Sequence, residues 1–595
     1  MKTSIATVSI AGSLAEKITA IARAGFDGLE IFENDLVASP MSISEIKNSI
    51  SDQGLTIDLY QPFRDFEGVT AERLTKNLER AKHKFETMHQ LGVDTILVCS
   101  NVATATESND DLFVEQLLQL AELAAEHDVK VAYEALAWGK YVSTYDHSWR
   151  IVQQVNHKNL GLCLDSFHIL SRGTQLDTIA NIPGEKIFYL QLADAPIMSL
   201  DVLSWSRHHR LFPGEGGWDV ADFVARVLQA GYQGPLSLEI FNDVYRQGSP
   251  SNTARDGHRS LTYLQDQLGL MELPKLQSPS SFDFVEFAPG EGQELQKSLA
   301  ALGFIEHGRH ARKPATLWCA GDARVVINES KVADSSELTT IGLHYQSGRD
   351  VTARMSALQY QVVTRDREGN EAEFGLVNAP NGVEFQISYA NELDWIDDFG
   401  AGGDAQNRSA ITGIDHVAIR ESWQTADESS LFFRSALGLT LQGELDLPSE
   451  YGLVRSRSAN NPERSVRIAI NVNPAQTQVA QAANHVAFTS SDIFKTAEFV
   501  KASKLKTMRV PENYYLDLKH RTGLDDAFVQ QLADIHALYD TDAFGSFIHF
   551  YTGQLGKVFF EVIQRIDGYD GYGAYNSFVR LASLRSNALQ KALND

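Results

Sequence analysis

From its first residues the chain alternates short apolar runs of strand type with amphipathic stretches of helical period. Eight such runs, TSIATVSI, GFDGLEIFE, LTIDLYQP, VDTILVCS, VKVAYEAL, LGLCLDSFH, KIFYLQLAD and GPLSLEIFND, fall within about the first 270 residues. Between them lie patterns such as SLAEKITAIARAG and DLFVEQLLQLAELAAEHD, whose apolar positions recur three and four apart. Strand and helix units repeated in this way predict a (β/α)8 TIM barrel, with functional groups where strands run into the following loops. An open doubly wound sheet is the alternative, but no GxGxxG follows the first run.

The barrel is expected to span 1–272, and LPKLQSPSS, residues 273–281, reads as a polar, proline-bearing linker. Beyond it the pattern changes and repeats. FDFVEFAPG near 282 returns as IDHVAIRES near 414, and ALGFIEHGRH near 301 returns as ALGLTLQGEL near 436. GLHYQSGRD returns as HVAFTSSD, and GVEFQISYA as KVFFEVIQR. Paired βαβββ modules in each copy predict an α+β domain of two halves, 282–400 and 410–595.

Four barrel strands carry a lone polar oxygen group at or near their C-terminal ends: Glu134, Asp165, Gln191 and Glu239. Apolar strands have no structural need for a carboxylate, and an unpaired buried one costs several kcal/mol or loses its charge. Side chains two apart share a face, so the four groups can meet at one mouth. Three carboxylates and an amide oxygen suit a divalent cation such as Mg²⁺, Mn²⁺ or Co²⁺. The bland alternative holds each carboxylate by a neighbouring Arg or a helix N-terminus.

Composition sharpens this picture. A formal net charge of −25 over 595 residues argues against nucleic-acid and anionic-membrane partners. It also makes the basic groups near the strand ends conspicuous: Arg64, with Gln61, after the third strand, His168 one turn beyond Asp165, and Ser206, His208, His209 and Arg210 after the seventh. Arginine suits a bidentate carboxylate clamp, so a small anionic substrate is expected. Three dispersed cysteines, no signal-peptide core and no apolar run long enough to span a bilayer imply a cytoplasmic protein, expected to be a homo-oligomer.

The Glu134, Asp165, Gln191, Glu239 series resembles the metal site of the sugar-phosphate isomerase and epimerase (xylose isomerase-like) barrels. HHRLFPGEGGWD, His208 to Asp219, resembles that family's loop after strand seven, where Glu215 is either a support for the site or part of a solvated turn. With its basic and hydroxyl groups the chain resembles the long bacterial form of the 3-dehydroshikimate dehydratase family, a barrel joined to a dioxygenase-like domain. That resemblance implies formation of protocatechuate in quinate and shikimate breakdown, with His168 as the base, Arg64 and Arg210 on the substrate carboxylate and Ser206 on a substrate oxygen. A sugar isomerase or epimerase is the alternative for the barrel.

The repeated modules resemble the vicinal-oxygen-chelate fold and, more narrowly, 4-hydroxyphenylpyruvate dioxygenase. That family's two His and one Glu fall on His416, His485 and Glu561, which implies a second divalent metal, Mg or Fe. Phe284, Leu343 and Gln386 stand at the corresponding places of the first half, with His344 one residue out of register. VPENYYLDLKHR and GYGAYNSFVRLASL add to the likeness. SFIHFYT, however, puts His549 where the family has Gln, and INVNP around Asn471 replaces an Asn-Glu-Pro-like segment. Both departures fall where a keto acid would be handled, which counts against a dioxygenase activity in this half.

Overall fold

The computed structural model describes residues 1–594 except 332, 365–366, 370, 390–393, 401–407, 450–451 and 473–483. The chain divides into two compact units, Met1–Leu273 and Pro274–Asp595.

In the first unit eight parallel strands close on themselves in chain order. They are β1 (Thr3–Ala6), β2 (Gly28–Phe32), β3 (Thr56–Phe63), β4 (Thr95–Cys99), β5 (Lys130–Glu134), β6 (Leu160–Asp165), β7 (Ile187–Leu192) and β8 (Leu236–Leu238). The helices between them start and stop where local chemistry dictates. Ser13 and Glu16 form a reciprocal capping box at the helix Leu14–Ala24, which ends at Gly25 with φ of 99°. Every second strand position faces the lumen. Leu59, Leu97, Cys99, Ala132, Cys163 and Tyr189 therefore form a small inner cluster distinct from the larger core between strands and helices. The same alternation carries Glu134, Asp165 and Gln191 to the C-terminal end of that lumen, with Glu239 one residue beyond β8.

The second unit holds two eight-stranded mixed sheets. The first contains β9 (Ser281–Ala288), β10 (Ile305–Arg309), β11 (Ala315–Ala320), β12 (Ala323–Asn328), β13 (Glu337–Tyr345), β14 (Val362–Thr364), β15 (Phe374–Asn378) and β16 (Glu384–Tyr389). The second contains β17 (Ile411–Glu421), β18 (Thr440–Ser449), β19 (Gly452–Asn460), β20 (Arg467–Val472), β21 (Asn484–Ser490), β22 (Leu538–Thr541), β23 (Gly545–Tyr551) and β24 (Val558–Asp567). Their orders, β10-β11-β12-β9-β13-β16-β15-β14 and β18-β19-β20-β17-β21-β24-β23-β22, are the same pattern. The duplication read from sequence is thus a duplication of topology.

The expected linker is tied down rather than free. Arg354 donates to Pro274 O at 2.9 Å, Ser278 Oγ to Gly438 O at 2.6 Å, and Asn461 to Pro279 O at 2.9 Å, all within the second unit. Among the described residues no helix is long and apolar enough to cross a membrane.

Candidate metal centres and active site

At the barrel mouth Glu134, Asp165, Gln191 and Glu239 are all buried, none more than 5% exposed. Burial raises the pKa of each carboxyl group, and Glu134 is pushed further by Asp165 and Glu239. Arg210 offsets part of this surplus. Its Nη1 donates to Asp165 Oδ2 at 2.8 Å and to Glu239 Oε2 at 3.0 Å, while Nε and Nη2 donate to Ser206 Oγ at 3.2 and 3.0 Å. The guanidinium also lies 4.6 Å from the Phe167 ring centroid. Burial works against its charge, but Asp165 and Glu239 outweigh that and raise its pKa.

One guanidinium cannot neutralise three carboxylates, and Glu134 Oε1 is a buried acceptor with no hydrogen-bond partner. Ligand atoms of Glu134, Asp165 and His168 all lie within 4.8 Å of one another. Surplus negative charge, an orphaned oxygen and an oxygen-rich donor set fit a hard divalent cation.

Gln191 is fixed from behind. Its Nε2 donates to Glu30 Oε2 at 2.6 Å, and Cys163 Sγ approaches its Oε1 at 3.5 Å. Glu30, on β2, also accepts from Gln61 at 2.7 Å and from Ser237. Burial first and Glu239 second push its pKa up to about 8. Sequence reading passed over Glu30, although a lone carboxylate inside the apolar run GLEIF is the same signal that marks Glu134.

His168 is packed edge-on against Trp138 and Phe167, with centroids at 5.0 and 5.9 Å. Burial, then Arg210 and Arg207, hold its pKa well below the ordinary histidine value, so the ring is neutral. Its Nδ1 accepts from the Ala137 N–H at 3.1 Å. Its Nε2 faces the site, 3.3 Å from Arg210 Nη2, a group that can only donate, and 3.6 Å from Asp165 Oδ2 and 3.9 Å from Glu134 Oε1. Both ring nitrogens thus stand before an N–H donor.

Arg64 is exposed on the loop after β3. The residue that sequence reading missed is Arg207, on the helix Val202–His208. It lies 4.8 Å from the Phe241 ring and 5.6 Å from Trp138. Among the described residues no carboxylate stands within ion-pair distance of it. Burial and then Arg64 lower its pKa. An unpaired, half-buried cation between two rings is a place for an anion. His208 instead pairs with Asp243 at 2.9 Å on the surface.

The Pro-Gly-Glu-Gly loop is held by Asp194, which accepts from Gly214, Gly216 and Trp218 N–H groups at 3.2, 3.0 and 3.0 Å. Glu215 is buried, accepting from Phe212 N–H at 2.9 Å and from Tyr245 OH. The solvated-turn alternative for Glu215 is therefore set aside.

In the second unit His416 on β17, His485 on β21 and Glu561 on β24 meet. Glu561 Oε2 is 3.2 Å from His416 Nε2 and 3.1 Å from His485 Nε2, and the two Nε2 atoms are 3.3 Å apart. Behind them, His416 Nδ1 faces Asp415 Oδ1 at 2.7 Å, and Asp415 takes a two-pronged contact from Arg565 at 2.7 and 2.9 Å. Burial lowers the His485 pKa to about 4. Converging nitrogens and oxygen backed by a carboxylate–histidine pair fit a divalent metal. His549 is occupied on both sides: Nδ1 contacts Glu561 Oε1 at 2.6 Å and Nε2 contacts Asn576 at 3.0 Å. Asn471 lines a cavity with Arg420, His485 and Arg580, while Asn473 and Pro474 of INVNP lie outside the described residues.

Strand register corrects one correspondence between the halves. Gly342 pairs with both Phe284 and Gln386, as Ala487 pairs with His416 and Glu561. The place of His485 is consequently taken by Thr340, not Leu343. Thr340 donates to Glu384 at 2.9 Å and accepts from Lys331 at 2.9 Å, so this half neutralises its own polar groups. Phe284, packed 4.8 Å from Trp395, fills the place of His416. His344 points elsewhere, 3.5 Å from Asp283.

Comparison with known proteins agrees with this architecture. Residues 18–264 match the xylose isomerase-like TIM barrel family, and 413–526 the glyoxalase, bleomycin resistance protein and dioxygenase superfamily. A 3-dehydroshikimate dehydratase of Pseudomonas putida is 40% identical over 99% of this chain and 100% of its own. That of Pseudomonas aeruginosa is 40% identical over 98% of each. A solved structure described as a xylose isomerase-like TIM barrel/4-hydroxyphenylpyruvate dioxygenase fusion protein superposes with a TM-score of 0.91 at 38% identity, covering 99% of this chain and 100% of that one. On this likeness along essentially its whole length, the chain belongs to the 3-dehydroshikimate dehydratase family, in the form that joins a barrel to a vicinal-oxygen-chelate unit.

Proposed function

We propose that the barrel catalyses metal-dependent dehydration of 3-dehydroshikimate to protocatechuate, in cytoplasmic breakdown of quinate and shikimate. The observation that carries this reading is the cluster of buried, mutually repelling Glu134, Asp165 and Glu239 at one end of the lumen, beside Arg207 and Arg210, with Gln191 paired to Asp165 on the next strand. A bound Mg²⁺, Mn²⁺ or Co²⁺, held by those four side chains, supplies Lewis acidity that makes a proton beside a ketone easier to remove.

The residues divide the remaining work. Arg207 and Arg64 receive the ring carboxylate, and Arg210, anchored by Ser206, balances the carboxylates that hold the metal. His168, neutral and turned into the site through Nε2, takes the C4 proton, and the imidazolium so formed returns it to the departing C5 hydroxyl as water. Loss of a C6 proton and protonation of the ketone oxygen then complete the aromatic ring. This reading keeps the base at His168, where the sequence alone put it.

The second centre, with Mg or Fe at His416, His485 and Glu561, is read as a support for folding, assembly or regulation, because His549 is committed to Glu561 and Asn576. The test is purified, metal-loaded protein given 3-dehydroshikimate without oxygen. Stoichiometric appearance of an ultraviolet-absorbing aromatic acid is expected, and isomerisation without it would support the sugar-isomerase alternative.

A further inference from the structure

In a pocket rich in carboxylates, an amide tends to turn its NH₂ toward the negative charge. Gln191 would then offer the wrong end to a cation, since only its carbonyl oxygen can bind one. What prevents this turn lies one layer deeper in the barrel. Glu30 is fully buried, far from solvent and outside the ring of groups assigned to substrate. It accepts the Gln191 Nε2–H at 2.6 Å and the Gln61 Nε2–H at 2.7 Å, with Ser237 Oγ on its other oxygen. Three donors from β3, β7 and β8 thus converge on one acceptor carried by β2.

We infer that Glu30 is a positioning residue for the barrel metal: by holding the Gln191 amide nitrogen, it keeps Gln191 Oε1 turned toward the carboxylates that bind the ion. This rests on the metal reading given above. A carboxyl group is suited to the task because both amide hydrogens land on one oxygen, Oε2, while the Ser237 hydroxyl meets the other. A glutamine at position 30 can keep that arrangement, its carbonyl oxygen accepting both amides and its NH₂ donating to the Ser237 hydroxyl, whereas a leucine offers neither amide an acceptor. Loss of a support of this kind behind a metal ligand typically changes metal affinity by about 10- to 100-fold.

The experiment titrates metal-free full-length protein with Mn²⁺, following free Mn²⁺ by its electron paramagnetic resonance signal. The equivalent lost in Glu134→Ala marks the barrel site. Glu30→Leu should weaken that equivalent about 10- to 100-fold, with turnover recovering as Mn²⁺ is raised. Glu30→Gln should bind Mn²⁺ close to the native affinity, because its carbonyl oxygen still accepts the Gln191 hydrogen. A purely structural role would leave Mn²⁺ affinity unchanged in folded Glu30→Leu protein. Native Mn²⁺ affinity in Glu30→Leu, or an equal loss in Glu30→Gln, would overturn the inference while leaving the metal site standing. If Glu134→Ala removes no equivalent, it is the metal site itself that falls.

Discussion

Arg210 donates Nη1–H to Asp165 Oδ2 at 2.8 Å, and both side chains are shut away from solvent. A buried pair of this kind is costly to break by removing one partner, on the order of 3–5 kcal/mol. Arg210→Gln should therefore destabilise the metal-free protein. It should also leave Asp165 and Glu239 more strongly attracted to a cation. Differential scanning calorimetry with and without Mn²⁺ checks this: the variant should melt several degrees lower without metal and gain more from Mn²⁺ than the native protein does.

Arg207 should behave differently. It touches rings rather than carboxylates, so Arg207→Ala is expected to raise KM for 3-dehydroshikimate tenfold or more in order of magnitude, the scale of about 1.4 kcal/mol or more of lost charge-assisted binding. Mn²⁺ affinity should not change. A steady-state KM equal to that of the native protein would remove Arg207 from the anion site.

Glu67 offers a prediction about pH. It is buried, accepts the Asn101 N–H at 2.6 Å and the Tyr133 hydroxyl at 3.0 Å, and burial pushes its pKa from 4.5 up to about 7. The folded protein thus binds this proton more tightly than the unfolded chain. The contribution is fully present below pH 4.5 and fades as pH rises through about 7. Glu67→Gln should flatten that decline, by roughly 3 kcal/mol at most, in denaturant midpoints measured between pH 5 and about 8.

Much of this site could be read from the chain because it breaks a pattern. Glu134, Asp165 and Glu239 end apolar strands that have no use for charge, and their convergence follows from strand alternation. Glu30 carried the same signal but sits inside its strand, where a strand-end rule does not look. Arg207 stood among Ser206, His208, His209 and Arg210, and spacing cannot tell which of a basic run turns inward. The contacts of His168 with the Ala137 N–H and Arg210 Nη2, and the commitment of Arg210 to Asp165, are tertiary facts. In the second unit, that Thr340 rather than Leu343 takes the place of His485 follows from strand pairing, Gly342 with Phe284 and Gln386 as Ala487 with His416 and Glu561, which only the folded sheet displays.

The second centre should be separable from the first. His416→Ala is expected to abolish one equivalent of metal binding and to leave dehydration within about twofold of native, an effect under 0.5 kcal/mol. Oxygen uptake with hydroxyphenylpyruvate should be absent in both proteins, as an oxygen electrode would record. Complete loss of dehydration in a folded His416→Ala protein would mean that the two centres act together.

The most direct test of the whole account is turnover of 3-dehydroshikimate, without oxygen, by protein stripped of metal and then given Mn²⁺, alongside Glu134→Ala. The account predicts no aromatic product until Mn²⁺ is added, full recovery in the native protein and none in the variant. Native rates from metal-free protein, or from Glu134→Ala, would contradict it.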